Sequence, residues 1–517
     1  MNLRFFLLTL SVIVLATMAG CATTTTGTGT RQQQAPPVQD SSMDRGSRDR
    51  ASRGLLDPSN RTVDQVIEMS RNMDAEPLGL ALEIVRSLET VPSSRLANMI
   101  ETQVYDPEFT EWLELTLLVR ESLVRQAPVN AAQYWQDFHY GHIIDRARFQ
   151  TLVSSYSSFF PTPDRVAVLL PFNGGLAAAG RAIRDGIISA YMEQPGGSAI
   201  RFYPSGDDNE SALAAYHQAV RDGALLIVGP LRVESVQTLA GLENHAVPLL
   251  LLNDPGTGQE AYPQQPGISS LSLSQTEEAA AIAERALTQG QQRAVMIVPE
   301  SNWGQRIEAA FGSAFVRGQG QISASAYFNP SASDHSAVLT DVLKIDESKQ
   351  RKQALQSRLG IPLEFEPIRR QDFDFIFLAA DSKQGRELKP LLKFHNAGDV
   401  PVYAMSRVYS GRAELDSDRD LDGVIFPVTP WQLQAVGKPL PDLESLRDGS
   451  FGNLFALGRD AWQILPWLPL LAKDPDLEFH GNTGALTLQA DGHLSRQPAW
   501  ARFSAGRPIP YLWPDQH

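Results

Sequence analysis

The 517-residue chain has one cysteine, Cys21, so no disulfide can close within it and no zinc site built from several cysteines can form. Cations are in deficit as well. Forty-five Lys and Arg stand against 59 Asp and Glu, a formal charge of −14, and no basic stripe offsets it. Nucleic acid is thereby excluded as the main partner. The apolar run at Phe5–Leu15 is shorter than the ~20 residues a membrane-spanning helix needs. Motifs that carry chemistry are missing too: the chain shows no HExxH pair, no Gly-x-Ser-x-Gly elbow and no dinucleotide fingerprint. Gly175–Gly180 has the spacing of a phosphate loop but lacks the following Lys-Ser/Thr. No cofactor is expected.

What remains is a large chain with 43% hydrophobic and 20% charged residues, enough for more than one core. Residues 1–20 start with Arg4, continue into the apolar run and end in small residues, the pattern of an export signal. Cys21 follows at once in Met18-Ala19-Gly20-Cys21, which resembles a bacterial lipobox with Met18 where Leu is more usual. The implied event is acylation of Cys21. Ala22, in place of Asp, points to release toward the outer membrane, where two or three acyl chains make a durable anchor. Residues 21–54 then form a lipidated start and a tether rich in Thr, Gln, Ser and Arg; its few apolar residues cannot build a core. A coil of this length reaches about 30 Å on average.

From 55 to 160 the pattern is helical. Thr62 with Gln65 makes a capping box, and Asp106-Pro107 supplies an N-cap and a first-turn proline for a long helix carrying Phe109, Trp112 and Leu113. Short turns between such helices suggest hairpins stacked in tetratricopeptide fashion. His139 and His142, three apart, read as packing or surface histidines rather than metal ligands. After Pro161-Thr162-Pro163 the grammar changes. Apolar strands such as Arg165–Leu170, Ala224–Val228 and Val247–Leu252 alternate with helices, and the alternation restarts at Ala294–Val298. Buried parallel strands covered on both faces read this way. The expected architecture for 161–517 is two successive open α/β sheets, the two lobes of a periplasmic-binding-protein-like (type I) fold. The fold class is thus α plus α/β.

In such sheets the loops after the strands line a crevice. That places Asn173, Gly174, Gly229, Asn253, Trp303, Ser406 and Tyr409 as candidate cleft residues, to be weighed against simple loop closure. Arg407 and the acidic turn Asp416, Asp418 and Asp420 are candidates to face a partner. Read from Asp418, that turn matches the first half of a calcium loop, but its twelfth position is Thr429 where a Glu is required; a solvated turn is the expectation.

Several blocks occur together and in order: RVAVLLPFNGG from Arg165, RDGIISAY from Arg184, VPESNWGQRI from Val298, RRQDFDFIFLAAD from Arg369, PVYAMSRVYSG from Pro401 and LFALGRDAW from Leu454. Through them, from Pro163 to the C-terminus, the chain resembles the penicillin-binding protein activator LpoA family of Gram-negative lipoproteins. The resemblance implies a non-enzymatic outer-membrane lipoprotein, lipid-anchored on the periplasmic side. Its partner would be a bifunctional class A penicillin-binding protein, whose peptidoglycan synthesis and cross-linking it stimulates. One departure stands out. Family members commonly carry a longer helical domain than the hundred or so residues present here. Two rival readings are a lipid-anchored solute receptor, with Asn173, Asn253 and Trp303 closing on a small ligand, and a hydrolase of the cell wall.

Overall fold

The computed structural model describes residues 61–71, 75–103, 105–193, 197–256, 267–434 and 451–513. Cys21, the export signal and the tether lie outside them. No helix among the described residues is long and apolar enough to cross a membrane.

Six helices open the described chain: α1 (Val63–Ser70), α2 (Pro77–Ser87), α3 (Ser93–Glu101), α4 (Pro107–Val124), α5 (Pro128–Phe138) and α6 (Arg146–Ser157). The expected caps form. Thr62 and Gln65 satisfy each other's amides at the start of α1, and Asp106 Oδ1 accepts the Phe109 N–H at 2.9 Å at the start of α4. Helix α3 starts directly after Pro92, which sits at the N-cap, where a missing N–H costs nothing. The helices bury Phe109, Trp112, Trp135, Phe149 and Tyr156. His142 belongs to this packing. Its ring meets Trp112 and Trp135 edge-on at 4.8 and 5.1 Å, and its Nδ1 accepts the Ile144 N–H. His139 stacks on Trp135 and pairs with Glu114 at 3.0 Å.

Beyond Pro163 lie β1 (Arg165–Leu170), α7 (Ala177–Glu193), β2 (Ala199–Pro204), α8 (Asn209–Arg221), β3 (Leu226–Val228), α9 (Val233–Ala240), β4 (Leu249–Leu251), β5 (Ile268–Leu271) and α10 (Gln275–Thr288). A second series follows: β6 (Arg293–Pro299), α11 (Asn302–Arg317), β7 (Gln321–Phe328), α12 (Ser336–Val342), α13 (Ile345–Leu359), β8 (Phe375–Leu378), α14 (Ser382–Phe394), β9 (Val402–Ala404), β10 (Ile425–Val428) and α15 (Pro430–Gln434). The chain closes with α16 (Gly452–Gln463), α17 (Leu468–Lys473), β11 (Phe479–His480), β12 (Ala485–Leu488), β13 (His493–Gln497), β14 (Ala499–Ser504) and β15 (Arg507–Pro510). Two sheets result, ordered β11-β12-β13-β5-β4-β3-β1-β2 and β15-β14-β10-β9-β8-β6-β7. Their central strands are parallel and nearly dry, as the continuous apolar runs require. This is the two-lobed periplasmic-binding-protein-like arrangement.

The sheets are not simply successive. The C-terminal chain returns to the first sheet, where β13 pairs in parallel with β5 and β12 and β11 add antiparallel; it then crosses at Pro498 to complete the second sheet. These strands are short and only alternately buried, so they carry no continuous apolar signal. The helical stretch from Ser336 to Leu359 divides in two. Lys344 takes a left-handed conformation (φ 57°), which lets both Leu343 and Ile345 turn inward.

Helix α16, although it follows the second sheet, packs on α7 of the first lobe. A Cβ at Gly186 would stand 2.0 Å from the Phe455 carbonyl oxygen, and one at Gly458 2.1 Å from that of Ile183. Only glycines allow this backbone-to-backbone approach. The core of the first sheet also runs without a break into the six helices through Phe160, Leu465 and Leu470. The Pro161–Pro163 boundary in the sequence is therefore not a boundary in packing.

Candidate functional site

The candidate cleft residues divide between the two lobes. Asn173, Gly174, Gly229 and Asn253 follow strands of the first sheet, and Trp303, Ser406 and Tyr409 follow strands of the second. Asn173 and Gly174 are exposed, and Gly174 has φ +73° with the Asp207 carboxylate occupying the space of a Cβ. Gly229 is buried against the Leu169 carbonyl and donates its N–H to Leu250 O at 2.8 Å. Asn253 is occupied on both sides of its amide: Nδ2 donates to Leu231 O, and Oδ1 accepts the Asp254 N–H, each at 3.0 Å. Gly229 and Asn253 thus close loops. Tyr409 packs between Phe426 and Phe503, with ring centroids about 6 Å away.

Trp303, Ser406 and Arg407 do converge, and they do so on the first turn of α10, which sequence reasoning passed over. Trp303 Nε1 donates to Gln275 Oε1 at 2.6 Å, and the exposed Arg407 lies 4.5 Å above the same indole ring. The Ser406 N–H donates to Glu278 Oε1 at 2.7 Å. Glu278 is buried beside Arg496 of β13, 3.9 Å away, and the neighbouring Glu277 pairs with His493 of β13 at 2.9 Å. Helix α10 itself packs in the core of the second sheet through Ala279, Ile282 and Ala283. Its first turn therefore ties the two sheets together by charge.

Burial holds the Glu278 carboxyl above the usual range, against the opposing pull of Arg496 and the Ser406 N–H. Burial works against charge on His493 as well, but the Glu277 carboxylate, with Asp254 and Asp491, outweighs it and raises the imidazole pKa. The only sequence signal for this network was Ser274, a helix cap followed by two glutamates.

Of the residues expected to face a partner, Arg407, Asp416 and Asp420 are exposed. Asp418 is not: it is 1% exposed, its Oδ1 accepts Arg386 Nε and Nη2 at 3.0 and 2.7 Å, and its Oδ2 accepts the Glu414 N–H. The acidic residues alternate in sequence as if along an extended turn, but Asp418–Leu421 forms a 3₁₀ helix. A three-residue period puts Asp418 on the inward face with Leu421. Among the described residues, no cluster of three or more His, Cys, Asp or Glu is placed to hold a metal.

A second buried network joins the helices to the C-terminal chain. Arg120 of α4 and Asp474, after α17, are both fully buried and 3.0 Å apart; Asp474 also accepts the N–H and hydroxyl of Ser93. Asp460 of α16 accepts four bonds, from the backbone and side chains of Asn482 and Thr483, while burial pushes its carboxyl upward.

The family described as "LppC putative lipoprotein" matches residues 63–506. A penicillin-binding protein activator LpoA from Vibrio antiquarius is 25% identical over 419 residues, covering 78% of this chain and 68% of that one. One from Vibrio cholerae (El Tor Inaba N16961) is 23% identical over 456 residues, covering 86% and 74%. The chain thus spans about two thirds to three quarters of these relatives. Among solved structures, the C-domain of LpoA (YraM) from Haemophilus influenzae, a regulator of PBP1A, has a TM-score of 0.53 at 19% identity, covering 67% of this chain and all of that one. Full-length LpoA from the same organism gives 0.55 at 18% identity, covering 84% and 78%. With one family matched across both the helices and the two sheets, the chain belongs to the LppC lipoproteins, the family of the penicillin-binding protein activators LpoA.

Proposed function

We propose that this protein is a non-enzymatic activator of a bifunctional class A penicillin-binding protein, held in the outer membrane by an acylated Cys21 and acting in the periplasm. In this reading residues 1–20 are removed on export, residues 21–54 are the leash, and residues 55–160 and 161–517 form the helical and two-lobed parts. The family match from residue 63 to 506 carries the proposal, because it spans the helices and both sheets rather than a binding-protein lobe alone. The buried Arg120–Asp474 link supports it physically, since a body that must present one docking face benefits from helices fixed to it. A tether raises the local concentration of such a body only within its reach. Activation follows if the body binds the active state of the synthase more tightly than the inactive one.

The test is the soluble part from Leu55 onward, added to its cognate class A synthase in vitro. The expected outcome is direct binding with increased cross-linking and glycan polymerisation. Absence of both overturns the proposal. The solute-receptor reading draws less support, because Asn253 has already spent its side chain on its own loop.

A further inference from the structure

A groove of about 430 Å³ lies beside the point where the chain crosses from the first sheet to the second at Pro498. One wall is a single face of α10, with Glu277, Ala280, Ala281 and Glu284 at helical spacing; the other includes Arg496 of β13 and Trp500 of β14. The opposite face of α10 is locked in the second core by Ala279, Ile282 and Ala283, so the groove wall is fixed. None of the expected cleft residues lines this groove.

Arg496 is the informative group. Its side chain is 6% exposed, yet Nη1 makes one long bond, 3.4 Å to Thr483 O, Nη2 stands 3.9 Å from Glu278, and Nε has no acceptor. A guanidinium has five N–H donors, and a buried one is normally completed by a carboxylate or phosphate. Glu277 and Glu284 stand on the facing wall, and the cation beside them, Arg285, is turned over the Trp513 ring at 5.5 Å, so the missing acceptor should carry a cation of its own. Glu277 is engaged by His493, which leaves Glu284, exposed two turns along the helix, to meet that cation.

We propose that this groove binds a short peptide with free termini, its carboxylate on Arg496, its ammonium on Glu284, and its side chains against Ala280, Ala281 and Trp500. The groove lies in the size range of small-molecule sites; Arg496 stands beside Glu278, and Glu284 is six residues on along the same helix, about 9 Å at 1.5 Å per residue, which two or three extended residues at about 3.3 Å each can span. The site is independent of the activator reading, because its test measures ligand binding and not stimulation of a synthase.

The experiment is calorimetric titration of the soluble chain with trialanine, N-acetyl-trialanine and trialanine amide. Saturable one-to-one binding of trialanine is expected, with each blocked peptide at least tenfold weaker. Glu284→Gln, on the exposed face of α10, should weaken trialanine at least tenfold with an unchanged melting curve. Arg496→Gln should abolish binding, and Arg496→Lys should recover part of it. No heat with trialanine at millimolar concentration overturns the proposal. So does equal binding of the acetylated peptide, which would reveal a simple anion site, or an unchanged affinity in Glu284→Gln.

Discussion

Asp474→Asn is the sharpest probe of how the helical part is held. Arg120 and Asp474 are both wholly buried, 3.0 Å apart, with Arg120 also donating to the carbonyls of Val91 and Leu88. The amide of Asn keeps the shape but removes the charge, leaving the Arg120 guanidinium buried beside two carbonyls and a competing donor. Breaking a buried pair from one side costs about 3–5 kcal/mol, because the remaining charge has no water to return to. The pair closes contacts between segments more than 350 positions apart in sequence. The cost should therefore fall on the attachment of α1–α6, and not on the two sheets. Urea unfolding of the soluble chain should show the wild type losing helices and sheets together, and Asp474→Asn losing helix first, at lower urea. Limited proteolysis should then cut near residues 88–93 before the lobes. Arg120→Met should give a similar loss, and the double variant less than the sum of the two, since neither charge is then stranded. A shift below about 1 kcal/mol, with one unchanged transition, would refute the reasoning.

Other expectations follow from the same geometry. Gly458→Ala places a Cβ 2.1 Å from the Ile183 carbonyl and should destabilise the α7–α16 contact by about 1–3 kcal/mol or more, read as a lowered melting temperature. Asp418→Ala removes the buried acceptor of Arg386, leaving it only the half-exposed Glu414 at 3.1 Å, and should cost about 1.5–3 kcal/mol, whereas Asp416→Ala and Asp420→Ala, both exposed, should stay within about 0.5 kcal/mol in the same melting assay. His493 has a raised pKa when folded, so its stabilising pair with Glu277 is complete below the ordinary value of 6.5 and is lost as pH rises through the folded value. Melting temperature should therefore fall across that window more in the wild type than in His493→Gln. His142 has the opposite sign: burial, with His139 adding, lowers it to about 4, so stability should fall as pH drops from 6.5 toward 4, and His142→Gln should flatten that limb.

The local signals in the chain were mostly sufficient for its elements. The Thr62 and Asp106 caps begin helices where side-chain oxygens can meet orphan amides, and the apolar run at Arg165–Leu170 becomes a strand buried on both faces. Such features need only neighbours in sequence. The candidate site was read less well. Asn173 and Gly229 occupy the expected loops, but the charged network falls on Glu277 and Glu278, whose partners His493 and Arg496 are over 200 residues away. Nothing at either end of those pairs marks the other.

Composition, periodicity and capping by themselves determined that this chain builds a helical region and two sheets with parallel central strands, since element type rests on signals a few residues apart and on how much apolar surface must be hidden. Only the tertiary structure decided that the C-terminal strands return to the first sheet, that α16 closes on α7, and that Asp418 lies inside and not on the surface. Those outcomes depend on which distant edge, carbonyl or cation is available to satisfy a buried group, and that is fixed by packing in three dimensions.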